Sequence, residues 1–181
     1  TYEWTNNNIS IGLPSNGTGN ISNFTVTNSG IVNQSATVTI TPILSGCTSI
    51  DAEFTITVKP VPTVSVVPLS QTLCHDEASI PVDFSGNIEA ATYDWSHDDI
   101  SIGIGSPGFA DIPSFTGTNT SLVSETSTFT VTPSFNGCIG SSENFTITVN
   151  PKPSVFPIPS QVLCAGFPTT NINFDGDFGA A

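Results

Sequence analysis

Residues 130–151 read TVTPSFNGCIGSSENFTITVNP, and residues 39–60 read TITPILSGCTSIDAEFTITVKP. The two stretches lie 91 positions apart and share a Gly-Cys pair, a Phe-Thr-Ile-Thr-Val pattern and a closing proline. Self-similarity at a fixed period indicates a repeat array, in which each period is one structural unit. The 181-residue chain is therefore predicted to consist of repeats.

The period extends beyond these two stretches. Tyr-x-Trp at 2–4 recurs at 93–95, a spacing of 91 residues, and Ser-Gln-x-Leu-Cys at 70–74 recurs at 160–164, a spacing of 90. Periods of 91 and 90 residues together account for all 181 positions. We therefore expect a segment of a longer array, cut within its units.

Three segments follow from this period. Residues 1–60 are expected to be the C-terminal two thirds of one unit, residues 61–151 a complete unit, and residues 152–181 the N-terminal third of a further unit. They are called the first, second and third repeats below. The prolines at 60, 62, 151 and 153 favour a short, stiff linker at each boundary.

The composition predicts an all-β chain. Only 9% of residues are charged, Met is absent, and Gly and Pro number 15 and 14. The polar surface must therefore come from Thr, Ser and Asn, which suit strands and turns. Short alternating segments separated by turn residues predict a two-sheet sandwich in units of about 90 residues. In the second repeat the strands are expected at 64–67, 80–84, 92–96, 100–102, 112–115, 129–132 and 145–149, with a turn before the second strand.

Aromatic residues on the inward phase of these strands are the core candidates. Alternation places each of them on one face of its strand, where a sandwich buries its side chains. The candidates are Tyr2, Trp4, Phe54, Tyr93, Trp95 and Phe145.

The charge excludes two classes of partner. The net charge is -13, and Lys59 and Lys152 are the only basic residues besides two histidines. No basic patch exists to neutralise phosphates or an anionic bilayer, so nucleic-acid and membrane binding are not expected. No apolar run in the sequence is long enough to span a membrane.

The four cysteines favour disulfides over a zinc site, because no Cys-x-x-Cys pair occurs. Disulfides indicate an oxidising compartment. Cys74 and Cys138 share the second repeat, and a bond between them would stabilise it by roughly 4 kcal/mol. The alternatives are a bond between neighbouring units, from the lower-pole Cys of one to the hairpin Cys of the next, and free thiols. In either scheme Cys47 and Cys164 have their partners outside the chain.

Two polar clusters suggest chemistry, and the repeats argue against both. Asp94, Asp98 and Asp99 surround His97 in a turn with calcium-type ligands, but Glu3, Asn7 and Asn8 stand at the matching positions. No cofactor or metal is therefore assigned.

His75, Asp76 and Glu77 resemble part of a hydrolytic set, but Ala165-Gly166 replaces His75-Asp76 in the third repeat. The chain is accordingly not expected to be an enzyme.

The unit resembles the immunoglobulin-like and PKD-like tandem modules of very large surface adhesins of Bacteroidota, including SprB-type gliding-motility adhesins. The residues that carry the resemblance are the Pro-x-Pro linkers, Ser-Gln-x-Leu-Cys, Tyr-x-Trp, Gly-Cys and Phe-Thr-Ile-Thr-Val. The resemblance covers the whole chain. It implies tandem immunoglobulin-like β-sandwiches, an extracellular location at the cell surface, export by type IX secretion, and roles in cell adhesion and gliding motility.

These observations predict a non-enzymatic stalk or spacer segment of a large adhesin. The expected partners are neighbouring repeats of the same chain, with surface polysaccharide or other cell-surface and secretion proteins as further candidates. Its negative surface would resist self-association by repulsion. Two alternatives remain: a polysaccharide-binding sandwich and an accessory module of a secreted hydrolase.

Overall fold

A computed structural model describes residues 1–177 of the chain. Within this range the fold is all-β, and its one helical turn is a 3-10 helix, Ile9–Ile11. The strands are β1 (Tyr2–Asn6), β2 (Asn16–Thr18), β3 (Gln34–Leu44), β4 (Cys47–Thr48), β5 (Ala52–Val58), β6 (Ser65–Val67), β7 (Ser70–Cys74), β8 (Asp83–Ser85), β9 (Thr92–His97), β10 (Gly108–Phe109), β11 (Glu125–Phe135), β12 (Cys138–Ile139) and β13 (Glu143–Asn150).

The strands form three sheets. In the first repeat the order is β2-β1-β3-β4, and β5 also pairs with β3. The second repeat has a sheet of order β10-β9-β11-β13-β7, with β12 on β11, and a two-stranded sheet of β6 and β8. The strand β7 runs parallel to β13, whereas all pairs in the first repeat are antiparallel. The predicted all-β sandwich class is confirmed.

Each Gly-Cys motif lies at a hairpin turn whose two central residues have a left-handed backbone conformation. The glycine is the second of these two residues. Ser45 and Gly46 have φ of 50° and 83°, and Asn136 and Gly137 have φ of 48° and 82°. Two successive positive φ values are the requirement of a type I′ turn, whose twist matches that of the flanking strands. Glycine occupies the second position of each turn because it adopts a positive φ without steric cost.

Contacts divide the chain into two compact units. Among the described residues, the first contains 1–65, 84–94 and 131–143, and the second contains 66–83, 95–130 and 144–177. The core of the first unit includes Trp4, Ile11, Leu13, Ala36, Val38 and Val58. Buried residues of the second include Val66, Leu73, Val82, Trp95, Ile102, Ile104, Ile112, Phe129, Phe145, Ile147 and Val149.

The structure buries some of the predicted core aromatics and exposes others. Trp4, Trp95 and Phe145 are buried, and Tyr93 is half-buried. Tyr2 and Phe54, by contrast, are 54% and 41% exposed, so their assignment to the core is corrected. Within residues 1–177 the first repeat has no counterpart of β6, β7 or β8, and in the second repeat Tyr93 packs against Phe84 of β8, with ring centroids 6.0 Å apart.

Three strand predictions for the second repeat are wrong. Residues 112–115 form no strand, and Ile112 makes only an isolated β-bridge with Val82. Residues 100–102 form a turn, because Asp99 Oδ1 accepts a hydrogen bond from Ser101 N at 2.7 Å and Gly103 closes the turn with φ of 96°. Ser70–Cys74, predicted as a turn, is the strand β7. The strand was missed because Gln71 is polar and yet buried, whereas an alternating strand is recognised by apolar residues at its buried positions.

Candidate functional site

The linker between the first and second repeats, residues 59–63, is packed into the protein. Pro60 and Pro62 are fully buried. Proline has a fixed φ and no N–H to satisfy, so a buried proline leaves no unpaired backbone donor. The linker and the parts of the second repeat that contact it, residues 84–94 and 131–143, belong to the same compact unit as the first repeat.

Asn87 fastens the linker to the loop after β8. Thr63 N donates to Asn87 Oδ1 at 2.8 Å, and Asn87 N donates to Thr63 Oγ1 at 3.1 Å. The Asn87 amide also donates to Val61 O at 3.3 Å. These reciprocal bonds fix the backbone of the linker against the second repeat.

The hairpin of β11 and β12 forms the other side of this joint. Lys59 Nζ donates to Asn136 O at 2.7 Å. Gly140 lies so close to the linker that a Cβ there would overlap the carbonyl oxygen of Pro62, and a Cβ on Gly86 would overlap that of Thr63. Only glycine fits at both places. We call residues 59–63, 86–87, 136 and 140 together the first joint.

The boundary with the third repeat is built similarly. Ser154 Oγ donates to the carboxylate of Asp177, whereas in the matching pair Thr63 Oγ1 accepts from Asn87 N. A Cβ on Gly176 would overlap Ser154 O. Lys152 Nζ lies 3.3 Å from Asp76 Oδ2. Both lysines of the chain therefore contact a neighbouring loop from a linker.

Sequence reasoning found the prolines of the joints but missed the polar residues that fix them. The signal was available in the repeat, because the pairs Thr63/Asn87 and Ser154/Asp177 stand at matching positions. Gly140 has no such signal, since Ser49 occupies its place in the first repeat.

The four cysteines have free thiols in this structure. Cys47 and Cys138 stand just after the type I′ turns, opposite Leu44 and Phe135. Cys74 ends β7 and lies opposite Asn150, the last residue of β13. Cys164 is exposed in the third repeat. The bond between Cys74 and Cys138 is not formed here, and both pairing schemes stay predictions.

The turn after β9 is a hydrogen-bonded support for the sheet. Asp98 Oδ1 accepts bonds from Thr128 N at 2.7 Å and Ser127 Oγ at 3.3 Å. The Thr128 N–H is the main cause of the lowered pKa of Asp98. In the first repeat Asn7 Oδ1 accepts the same bond, from Thr37 N at 2.8 Å. A neutral amide in the same role shows that the position needs an acceptor rather than a charge.

His97 belongs to the same turn. Its Nε2 lies 2.8 Å from Gly105 O and its Nδ1 lies 3.1 Å from Asp99 O. At the matching position the Asn6 amide donates to Pro14 O at 3.3 Å and Asn8 O at 3.0 Å. Within residues 1–177, no group of three or more His, Cys, Asp or Glu side chains is arranged to hold a metal ion.

The His75, Asp76 and Glu77 set closes the turn after β7. Asn119 N donates to His75 Nδ1 at 2.8 Å, and His75 Nε2 lies 3.4 Å from Asp76 Oδ1. Glu77 Oε2 accepts from Cys74 N at 2.8 Å. Asp76 has φ of 69°, so the set holds a left-handed turn together.

An apolar groove runs along the first repeat. Its volume is about 680 Å³. The groove lies over the face of the sheet of β1, β3 and β5, and the segment after β2 borders it. We call it the β5 groove; its lining residues are Tyr2, Trp4, Gly19, Asn20, Ile21, Ile40 and Phe54.

No helix in residues 1–177 has the length and apolar character needed to cross a membrane. None of the curated proteins matches the chain. Residues 71–153 match the family model described as PKD-like domain. Domains of this family are generally non-catalytic and typically extracellular, which is consistent with a structural or adhesion-type module. The match supports a PKD-like or immunoglobulin-like repeat at residues 71–153.

Proposed function

We propose that the chain is a non-enzymatic, extracellular segment of tandem sandwiches that serves as a stalk or spacer in a large cell-surface adhesin. The first joint is the observation that carries this proposal. A spacer must transmit force and hold a distance, and a joint that is hydrogen-bonded and packed does both better than a flexible tether. An adhesin of this kind implies export by type IX secretion and a role in gliding motility, as the resemblance suggests.

The joint limits bending by three independent means. Two buried prolines restrict the backbone of the linker. Asn87 holds Val61 and Thr63 through their main-chain atoms. Close packing at Gly86 and Gly140 leaves no room for the linker to shift.

A bond between neighbouring repeats would strengthen the same joint. Cys74 lies opposite Asn150, and the residue that matches Asn150 in the first repeat is Lys59, which contacts Asn136. A cysteine that lay opposite Lys59, as Cys74 lies opposite Asn150, would therefore be next to the hairpin that carries Cys138. This placement favours the neighbour bond over the bond within one repeat.

Small-angle X-ray scattering tests the spacer proposal. The chain is expected to give an elongated particle with a well-defined maximum dimension. Gly140→Val, which places a branched side chain against Pro62 O, is expected to broaden the distance distribution. The control is Ser49→Val at the matching, exposed position of the first repeat, which is expected to leave the profile unchanged. A compact or fully flexible wild-type profile would refute the spacer.

The adhesin assignment has a separate test. An antibody against the chain is expected to label intact, unpermeabilised cells of the source organism, and external protease is expected to remove the label. Labelling only after permeabilisation would contradict a surface location. A glycan array addresses the alternative function, since a pure spacer is expected to bind no polysaccharide.

A further inference from the structure

His97 lies between two main-chain carbonyl groups at the end of β9. Its Nδ1 lies 3.1 Å from Asp99 O, and its Nε2 lies 2.8 Å from Gly105 O. A carbonyl oxygen only accepts hydrogen bonds, so each ring nitrogen needs a proton to bond to the oxygen that it faces. A neutral imidazole carries one N–H, and only the doubly protonated ring carries two. The two contacts therefore fit the positively charged form of His97.

The first repeat shows what this position requires. Asn6 stands 91 residues before His97, and its amide donates to Asn8 O at 3.0 Å, Leu13 O at 2.9 Å and Pro14 O at 3.3 Å. Asn8 and Pro14 also stand 91 residues before the two residues whose carbonyl groups face His97. The same two carbonyl groups are thus bound in both repeats. An amide offers two N–H donors at every pH, whereas imidazole offers two only when it is protonated.

An aromatic ring beside His97 suits a cation. The ring centroid of Phe129 lies 5.3 Å from that of His97, and the centroid of Trp95 lies 6.0 Å from it. A cation within about 6 Å of an aromatic centroid is attracted by the electrons of the ring face. In the first repeat Val38 stands at the position of Phe129 and pairs with Asn6. The phenylalanine therefore accompanies the histidine, and an aliphatic residue accompanies the uncharged amide.

The charged groups near His97 are acidic. The ring contacts β9, β11 and the segment before β10, and residues 100–107 of that segment have no titratable side chain. Besides His97, the titratable groups of β9, β11 and the intervening turn are Tyr93, Asp94, Asp98, Asp99 and Glu125. Both lysines of the chain belong to the linkers. Carboxylates favour a positive charge in their neighbourhood, so the surroundings of the ring stabilise its protonated form.

His75 has the opposite requirement. Its Nδ1 accepts the Asn119 N–H at 2.8 Å, so this nitrogen carries no proton. Its Nε2 lies 3.4 Å from Asp76 Oδ1. Main-chain acceptors face His97, whereas a main-chain donor faces His75. The second histidine of the chain is therefore an internal reference for the protonation state of the first.

We propose that His97 acts as a doubly protonated imidazole and makes the turn after β9 a proton-dependent support of the second repeat. Two hydrogen bonds hold the turn when the ring is charged, and one is lost when the ring releases its second proton. Release occurs as the pH rises, so the turn is held more tightly in acid than in base. The matching turn of the first repeat is expected to lack this dependence, because Asn6 keeps both donors at every pH.

Nitrogen NMR of the full 15N-labelled chain tests the protonation state. Protonated and unprotonated imidazole nitrogens have well-separated chemical shifts, and the chain has two histidines. At about pH 6.5, where an ordinary imidazole is half protonated, His97 is expected to show two protonated nitrogens and His75 an unprotonated Nδ1. The variant His97→Asn assigns the signals, because it removes one of the two sets.

Hydrogen exchange of peptides from residues 97–108 tests the support of the turn. His97→Asn supplies two donors at every pH, as Asn6 does, and His97→Leu supplies none. The protection factor of wild type divided by that of His97→Asn is expected to fall about 10-fold between about pH 5.5 and about pH 8.5. The corresponding ratio for His97→Leu is expected to stay low and constant. Because each ratio compares two proteins at one pH, the intrinsic pH dependence of exchange and the titration of His75 cancel.

Two results would overturn the proposal. One is an excess of the neutral form of His97 at about pH 6.5. The other is a ratio of wild type to His97→Asn that does not change with pH. Neither result bears on the spacer proposal, which rests on the first joint and on scattering.

Discussion

The first and second repeats share their turns and differ in their cores. Thr27 Oγ1 donates to Ser10 O at 2.7 Å, and 91 residues later Thr118 Oγ1 donates to Ser101 O at 2.6 Å. Phe54, however, is exposed where Phe145 is buried. The two threonine hydrogen bonds each join residues 17 positions apart within one repeat, and they recur because both repeats carry Ser and Thr at these positions. Burial depends on the strands that surround a side chain, and within residues 1–177 the first repeat has no counterpart of β6, β7 or β8.

The largest expected difference between the repeats concerns these two phenylalanines. Phe145 stacks on Phe129 with ring centroids 4.6 Å apart. Phe145→Ala is expected to lower the stability of the second repeat by about 3–4 kcal/mol, because removal of a buried aromatic ring leaves a cavity. Phe54→Ala is expected to lower that of the first repeat by less than about 1 kcal/mol. Hydrogen exchange at increasing urea concentration, measured on peptides from β13 and β5, gives the stability loss of each repeat separately. Equal losses for Phe145→Ala and Phe54→Ala would contradict the comparison.

The second prediction is that alanine at one matching glycine position destabilises both repeats by a similar amount. Gly12 and Gly103 have φ of 94° and 96°, and a Cβ would lie 2.6 Å from Thr25 O and 2.5 Å from Thr116 O. Gly12→Ala and Gly103→Ala are each expected to cost about 2–3 kcal/mol, since both strain and overlap oppose alanine. The measurement is the same exchange experiment. Gly105→Ala, at an open position, is the control and is expected to be neutral.

A buried amide gives the third comparison. Asn119 is 4% exposed and donates to Val123 O and Val149 O, both at 2.7 Å. Asn119→Ala is expected to cost about 2 kcal/mol, because it removes the buried hydrogen bond to Val149 O, whereas Val123 O still accepts from Ser121 Oγ. The matched Asn28→Ala is expected to cost about 1 kcal/mol, because water can reach its half-buried site. Thermal unfolding followed by calorimetry measures both, and a larger loss for Asn28→Ala would refute the ranking.

The smallest expected effect is a difference in pH dependence. The pKa of Asp98 is lowered from 3.8, chiefly by the Thr128 N–H, so the folded protein holds this carboxylate ionised to lower pH than the unfolded chain does. The contribution of Asp98 is therefore present above pH 3.8 and is lost as the pH falls through the folded-state pKa.

Acid titration of stability in two variants tests this difference. The destabilisation caused by Asp98→Ala is expected to shrink as the pH falls below 3.8, whereas that of Asn7→Ala is expected to stay constant. Circular dichroism during urea unfolding at each pH gives both values. A constant effect for Asp98→Ala would contradict a role for its charge.

The sequence predicted much of the fold because repeated residues mark repeated local structure. Ser45-Gly46 indicated a hairpin turn, and its type I′ geometry follows from two residues that accept positive φ. The strand β7 escaped prediction because Gln71 faces inward, where its amide bonds to Ile80 instead of packing as an apolar side chain. The contacts of Asn87 and Gly140 at the first joint escaped because they join residues distant in sequence.

The sequence by itself indicated the all-β class and the hairpin turns, since each depends on residues near one another in the chain. Only the tertiary structure decided that the linker is buried and that Ser70–Cys74 is a strand whose Gln71 and Leu73 face inward. These properties depend on which strand lies beside which, and identical local patterns such as Phe-Thr-Ile-Thr-Val leave that choice open.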